Sequence, residues 1–308
     1  MNDYRQSQKR HGMANSLRAL MRSFIDYAGL FPPAQLEMNA AVEQYAAYRR
    51  SEHAWMLGRF VLPVSRLDEF AREAVAHWSK SEQEPRWLIS ALCSAQAQEA
   101  IATIMEFNER HSAFAFIDTL ELKADRVDEV ERAMQLVPPF VAAYIEIPLA
   151  PSAEPLIEAI ARTGARAKVR TGGLIPEMIP STGDLVRFIA GCAAANVPFK
   201  ATAGLHHPIR SVHRMTYEPD SPSGLMHGFL NVALTSAFLR YGMSHEQAAQ
   251  VLDETSADAF QFDDEGVAWH EWRLSIEQLV AAREGFCISF GSCSVSEPIE
   301  DLKRLGLL

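Results

Sequence analysis

The sequence predicts an α/β protein, a closed (β/α)8 TIM barrel with a helical insertion between strands seven and eight. Three observations lead there. Between residues 23 and 202, short apolar runs alternate with segments of helical periodicity, seven strand-like runs in all. These runs are continuously hydrophobic rather than alternating, as strands covered on both faces are. A further run, 285–290, follows late in the chain and would close the ring.

Taken in order, residues 1–12 are polar and read as a flexible tail. Helical spacing begins at 16–20, and the first strand spans 23–30, stopped by Pro32 and Pro33. A helix over 38–50 leads to strand two at 55–62, closed by Pro63. The next strands fall at 87–92, 114–120 and 140–147, separated by helices at 67–78, 95–110 and 127–136. A helix at 154–163 precedes strand six, 167–170. Strand seven is 198–202, and the helix between them, 182–195, carries Leu185, Val186, Phe188, Ile189 and Cys192 on one stripe. Strand, helix and strand in this length form a βαβ unit, whose two strands must be parallel.

The eighth strand has two candidates. The run from His227 to Val232 continues into helical spacing through Tyr241, so 285–290 is preferred. On this reading 13–208 hold strands one to seven. Residues 209–284 form the insertion, with helices near 227–241, 245–255 and 273–284 and a Trp269/Trp272 pair. Residues 285–308 supply the eighth strand and a short helix around 299–305.

Composition bounds the function. A chain of 308 residues, 48% hydrophobic and 22% charged, buries a sizeable core without staples. No run approaches eighteen uncharged apolar residues, so no membrane span is expected. The polar opening MNDYRQSQKRHG lacks the apolar stretch of a signal peptide, and a cytoplasmic location is expected. The four cysteines show neither a CxxC pair nor zinc-ligand spacing, so no metal site is expected from them. A net charge of −10 argues against nucleic-acid partners, and an anionic substrate would need locally gathered cations. No G-x-G-x-x-G follows a strand, and neither a Walker loop nor a G-x-S-x-G elbow is present. No cofactor is expected.

The gathered cations lie in the two lysine strands. Lys168 is followed by Thr171-Gly172-Gly173, and Lys200 by Ala203-Gly204-Leu205-His206-His207. Glycine after a strand lets backbone N–H groups approach a ligand. In such barrels the working residues sit at the C-terminal strand ends. That rule collects Asp26, Asp118, Glu146, Lys168 and Lys200 from strands one, four, five, six and seven. The loops add Thr171, Gly172, Gly204, His206, His207, Ser292 and Ser294, and Arg170 lies on strand six. Asp26 and the following Phe31-Pro32-Pro33 either line the site or form a core turn. A lysine attacks a carbonyl only as a neutral amine, and lowering its pKa from about 10.4 to about 7 takes roughly 4–5 kcal/mol. Burial and a second cation nearby both act in that direction. Lys200 beside Lys168 is expected to supply the second cation, and Asp118 to move protons.

These residues resemble the deoxyribose-phosphate aldolases, class I aldolases of the (β/α)8 type. Lys168-Val169-Arg170-Thr171-Gly172-Gly173 is similar to their K-x-x-T-G-F on strand six, and Lys200-Ala201-Thr202-Ala203-Gly204-Leu205 to their K-A-S-G-G-I on strand seven. Phe290-Gly291-Ser292-Cys293-Ser294 looks like their phosphate-holding F-G-A-S. The resemblance implies a Schiff base at Lys168, assistance from Lys200, protonation by Asp118, and an anionic carbonyl substrate. The chain departs from the pattern at Gly173, Ala203, Arg170 and His206-His207, and 209–284 has no counterpart in the compact members.

Three functions stay open at this point. The first is an aldolase-like lyase acting through Lys168. The second is an enolase-type lyase or isomerase with a metal on Asp118 and Glu146, for which Glu121, read as lying past the end of strand four, makes a poor third ligand. The third is a non-catalytic barrel whose lysines clamp an anion, with the insertion making a homo-oligomer contact.

Overall fold

The computed structural model describes residues 13–79, 84–93, 97–150 and 153–308. The tail expected at 1–12 lies outside these residues. Eight parallel strands close a barrel: β1 (Ile25–Tyr27), β2 (Leu57–Pro63), β3 (Trp87–Leu92), β4 (Ala115–Lys123), β5 (Ala142–Glu146), β6 (Arg166–Arg170), β7 (Phe199–Thr202) and β13 (Cys287–Ser292). β13 is the run chosen as strand eight, and it pairs with both β7 and β1.

The first strand is shorter than 23–30. Ser23 turns with φ +49°, and the Leu36 N–H donates to the Gly29 carbonyl, folding the proline segment back over the strand end. β4 runs three residues beyond Leu120, so Glu121 lies within a strand rather than after one. A register shift in the β3–β4 ladder falls at Asp118: Ile89 faces Ile117 and Ser90 faces Thr119. The backbone freed beside it is taken up by Asn108. That side chain donates to the Ile117 carbonyl and accepts the Ile117 N–H, at 2.9 and 2.7 Å. Asn108→Ala leaves both backbone groups buried without partners and is expected to cost about 2–3 kcal/mol in a urea titration.

Helices cover the outside in the expected order: α1 (Asn15–Met21), α2 (Met38–Arg49), α3 (Leu67–Ala74), α4 (Ala97–His111), α5 (Val127–Met134), α6 (Glu154–Thr163) and α7 (Thr182–Ala194). Phe60, Tyr45, Phe70 and Trp87 interlock, edge to face except for the tilted Phe60–Phe70 pair, tying α2 and α3 to β2 and β3.

After β7 comes a hairpin, β8 (Ser211–Arg214) and β9 (Ser223–Met226), and then α8 (Phe229–Arg240) and α9 (His245–Asp253). A small antiparallel sheet follows, β10 (Phe260–Phe262), β11 (Gly266–Trp269) and β12 (Trp272–Ser275), in which Trp269 faces Trp272. α10 (Ile276–Gly285) leads into β13, and α11 (Ser296–Arg304) closes the chain. α8 is apolar on nearly every face because it is enclosed by α7, α9, α10 and β13. It therefore belongs to the barrel's helical layer, whereas the hairpin stands out over the C-terminal face. No helix among the described residues is long and apolar enough to cross a membrane.

Candidate functional site

Parallel register places one row of side chains across four neighbouring strands. Glu146 is the Cα partner of Lys168, Lys168 of Lys200, and Lys200 of Ser289. Paired residues share a face of the sheet, so both lysines project into the barrel. Their amines do not meet directly. Glu121, from β4, lies between them: Lys168 Nζ is 2.7 Å from Oε2, and Lys200 Nζ is 2.7 Å from Oε1. Lys168 also reaches Glu146 Oε2 at 2.9 Å, and Lys200 reaches Asp26 Oδ2 at 2.6 Å.

The result is an alternating string, Glu146–Lys168–Glu121–Lys200–Asp26, with three carboxylates to two ammoniums. Burying ions costs several kcal/mol each, which is offset only when the remaining lone pairs are also satisfied. Here they are. The Ser90 hydroxyl donates to Glu121 Oε1 (2.6 Å), the Ser289 hydroxyl to Asp26 Oδ2 (2.7 Å), and the Arg59 backbone N–H to Asp26 Oδ1 (2.8 Å). The Tyr144 ring lies 5.4 Å from Lys200 Nζ and adds a cation–π contact.

Burial alone would push the Lys200 amine down, but Asp26 and Glu121 outweigh it and hold its pKa above the ordinary lysine value. Burial would likewise push Glu121 up, yet the Lys168 and Lys200 charges hold its carboxyl well below the usual range. Lys200 is thus a fixed cation. The sequence reading set it directly against Lys168, whereas the structure interposes a carboxylate that partly cancels its field.

The same shifts set a pH dependence. The raised Lys200 contributes stability that is complete below its ordinary pKa of 10.5 and is lost as pH rises beyond it. The lowered Glu121 contributes above its ordinary 4.5 and loses that contribution as pH falls further. Urea midpoints are expected to hold level, as far as this cluster is concerned, from about pH 5 to about pH 10 and to fall on both sides. In Glu121→Gln the acid limb should flatten.

Above Lys168 lies a cavity of about 240 Å³, opening at the C-terminal face of the barrel. Lys168 and Glu121 line it together with Arg170, Thr202, Gly204 and His206, and Lys200 does not reach it. Its remaining wall is apolar and comes from the loops after β1 and β6 and from the hairpin. Arg170 is exposed, whereas His206 is buried. Burial would lower the His206 pKa, but hydrogen bonds and charge from Cys293 and Glu297 raise it to about 9.

Several residues expected at the site lie elsewhere. Asp118 forms a two-pronged ion pair with Arg59, both contacts 2.7 Å, and is not a partner of either lysine. It sits on the N-terminal side of Glu121, at the register shift, and the carboxylate that β4 sends to the lysines is Glu121. Thr171 donates to the Ala203 carbonyl at 2.6 Å and ties the two glycine loops together. Gly172 lies against Gly204, where an added Cβ would come within 3.1 Å of the Gly204 Cα, and Gly204 itself has φ +76°. These two positions require glycine for close approach of the loops. His207 bonds Asp301 at 2.5 Å and stacks on His213, away from the cavity. Ser292 Oγ accepts the Ser294 N–H, and Ser294 Oγ accepts the Glu297 N–H at the start of α11. Neither serine lines the cavity, whereas Gly291 and Cys293 from the same stretch do.

Among the described residues, no group of three or more His, Cys, Asp or Glu is arranged to hold a metal ion. Of the groups the sequence reading missed, Glu121 carries the greatest consequence, with Cys293, Met215 and Met226 on the cavity wall. The signal for Glu121 was the period-two run Thr119-Leu120-Glu121-Leu122-Lys123, which continues the strand. No protein-family model matches the chain, and no curated protein matches it in sequence.

Proposed function

We propose that the protein is a lyase of aldolase type that forms a Schiff base between Lys168 and a small anionic carbonyl compound. The observation that carries this reading is the Lys168 amine: it borders a cavity at the C-terminal face and holds two carboxylates at 2.7 and 2.9 Å. Glu121 is bound by both ammoniums, which makes it a poor base and a steady counter-charge. Among the described residues Glu146 has Lys168 as its one ammonium partner, and it is the proton acceptor for Lys168 in this reading.

The Lys168 ammonium gives a proton to Glu146, and the freed amine attacks the carbonyl carbon, forming the C–N bond. The carbonyl oxygen takes up protons and leaves as water, giving an iminium that the ionised Glu121 stabilises. A C–C bond one carbon away then breaks. Its electron pair passes into the iminium to give an enamine, while the departing carbon leaves as an aldehyde and its hydroxyl proton passes to solvent at the cavity mouth. Protonation of the enamine and addition of water return the free amine and the second carbonyl product. No oxidant or reductant is required.

The test is turnover. Purified protein is mixed with β-hydroxy oxo acids and aldol products of simple aldehydes, and release of aldehyde is followed with a coupled dehydrogenase. Release that persists in excess chelator and disappears in Lys168→Ala supports the proposal. Release lost to chelator would favour the metal-dependent enolase-type reading, and binding of anionic carbonyls without any turnover would favour the anion-binding one.

A further inference from the structure

We infer that the cavity selects carbonyl acids bearing an apolar branch, aliphatic or aromatic, over phosphorylated sugars, and that Met226, Met215 and Met178 set this choice. The inference rests on the Lys168 reading for the position of the carbonyl, but the selection itself follows from the cavity wall.

Opposite the Lys168–Glu121 floor the wall is built from Phe31, Pro32 and Pro33, from Leu174 and Met178, and from Met215 and Met226 of the hairpin segment. Val61 and Leu92 continue it down into the barrel. A sugar phosphate would set its hydroxyls against thioethers and proline rings, where they lose water and gain no partner. An alkyl or phenyl branch loses nothing there, and methionine adapts its shape to such groups. The cavity is only about 240 Å³, so the branch must be small.

The phosphate-holding role that the resemblance gives to Ser292 and Ser294 has no counterpart in the wall. Both hydroxyls accept from backbone N–H groups, Ser292 from Ser294 and Ser294 from Glu297 at the start of α11, and neither lines the cavity. Among the described residues, the basic side chains that line it besides Lys168 are Arg170 and His206. Arg170 shares the inward face with Lys168, two residues along β6, and its planar fork suits a carboxylate. His206 Nδ1 lies 3.2 Å from Glu297 Oε2, a contact that favours the protonated ring. A carboxylate beside Arg170 and His206, a carbonyl over Lys168 and an apolar branch against the methionines together fill the three parts of the space.

Binding of acids that lack a carbonyl isolates this selection from imine chemistry. Calorimetry at pH 7 with propionate, 4-methylpentanoate, 3-phenylpropionate and glycerol 3-phosphate is the experiment. The branched and phenyl acids are expected to bind at least tenfold tighter than propionate and tighter than glycerol 3-phosphate. Met226→Gln should shrink that ratio severalfold, and Met178→Gln, at an exposed position with little bearing on folding, should shrink it in the same direction. Arg170→Ala should weaken all three carboxylic acids together. Tighter binding of glycerol 3-phosphate, or a ratio unchanged in both methionine variants, would overturn the inference. If instead the branched acids win and no carbonyl compound ever attaches to Lys168, the selection stands and the imine reading fails.

Discussion

Lys168→Ala is expected to abolish Schiff-base chemistry and to lower turnover of any substrate by about 10⁴-fold or more, since among the described residues no other amine lines the cavity. Lys200 is no substitute. It is 1% exposed, is gripped by Asp26 and Glu121, and does not border the cavity. The fold should survive, because Glu121 keeps Lys200 and Ser90 as partners and Glu146 keeps some contact with solvent. Lys168→Arg is the informative companion. It retains the positive charge between the two carboxylates and so should restore stability lost in the alanine variant, while catalysis stays absent because a guanidinium is not a nucleophile at neutral pH. Urea titrations and turnover measured on both variants separate the charge of Lys168 from its chemistry.

The second large effect belongs to Glu121. Its carboxylate touches both ammoniums, and it is 3% exposed. Removing one partner from a buried ion cluster leaves the others uncompensated, at a cost of about 3–5 kcal/mol. Glu121→Gln keeps the shape and one acceptor oxygen, yet it sets two buried ammoniums against each other through a neutral amide. A loss of stability within that range is expected at pH 7. The variant also converts the environment into the one the sequence alone had pictured, two cations without a carboxylate between them. Whatever activity survives should therefore have its optimum moved to lower pH. A Glu121→Gln protein as stable as the wild type, with an unmoved pH optimum, would show that the string of charges does not govern the site.

Much of the barrel was legible because its strands are continuously apolar and are bounded by proline, glycine and helix-start signals. The pairing of Lys168 with Lys200 followed from a single βαβ unit, and the register realises it. What escaped the sequence reading depended on details that local patterns do not carry. Glu121 follows an apolar run and precedes Leu122 and Lys123, so its charge reads as the end of a strand until the partners that satisfy it are known. Asp118 reads as the natural inward carboxylate, but the register shift beside it places it with Arg59 instead. The hairpin of β8 and β9 is short and polar and carries no strong period. Only the folded chain brings Met215 and Met226 over the cavity. The serines after Phe290 resemble a ligand-binding turn, whereas Ser292 bonds within that turn and Ser294 bonds the start of α11, which is visible only once the helix is in place.

The most direct measurement is the site of covalent capture. Wild-type protein incubated with phenylpyruvate or 4-methyl-2-oxopentanoate is reduced with borohydride, digested, and its peptides sequenced by mass spectrometry. A single adduct on the peptide containing Lys168, absent without the oxo acid, is the predicted result. An adduct on Lys200, or on surface lysines alone, would contradict the assignment of Lys168 as the reacting amine.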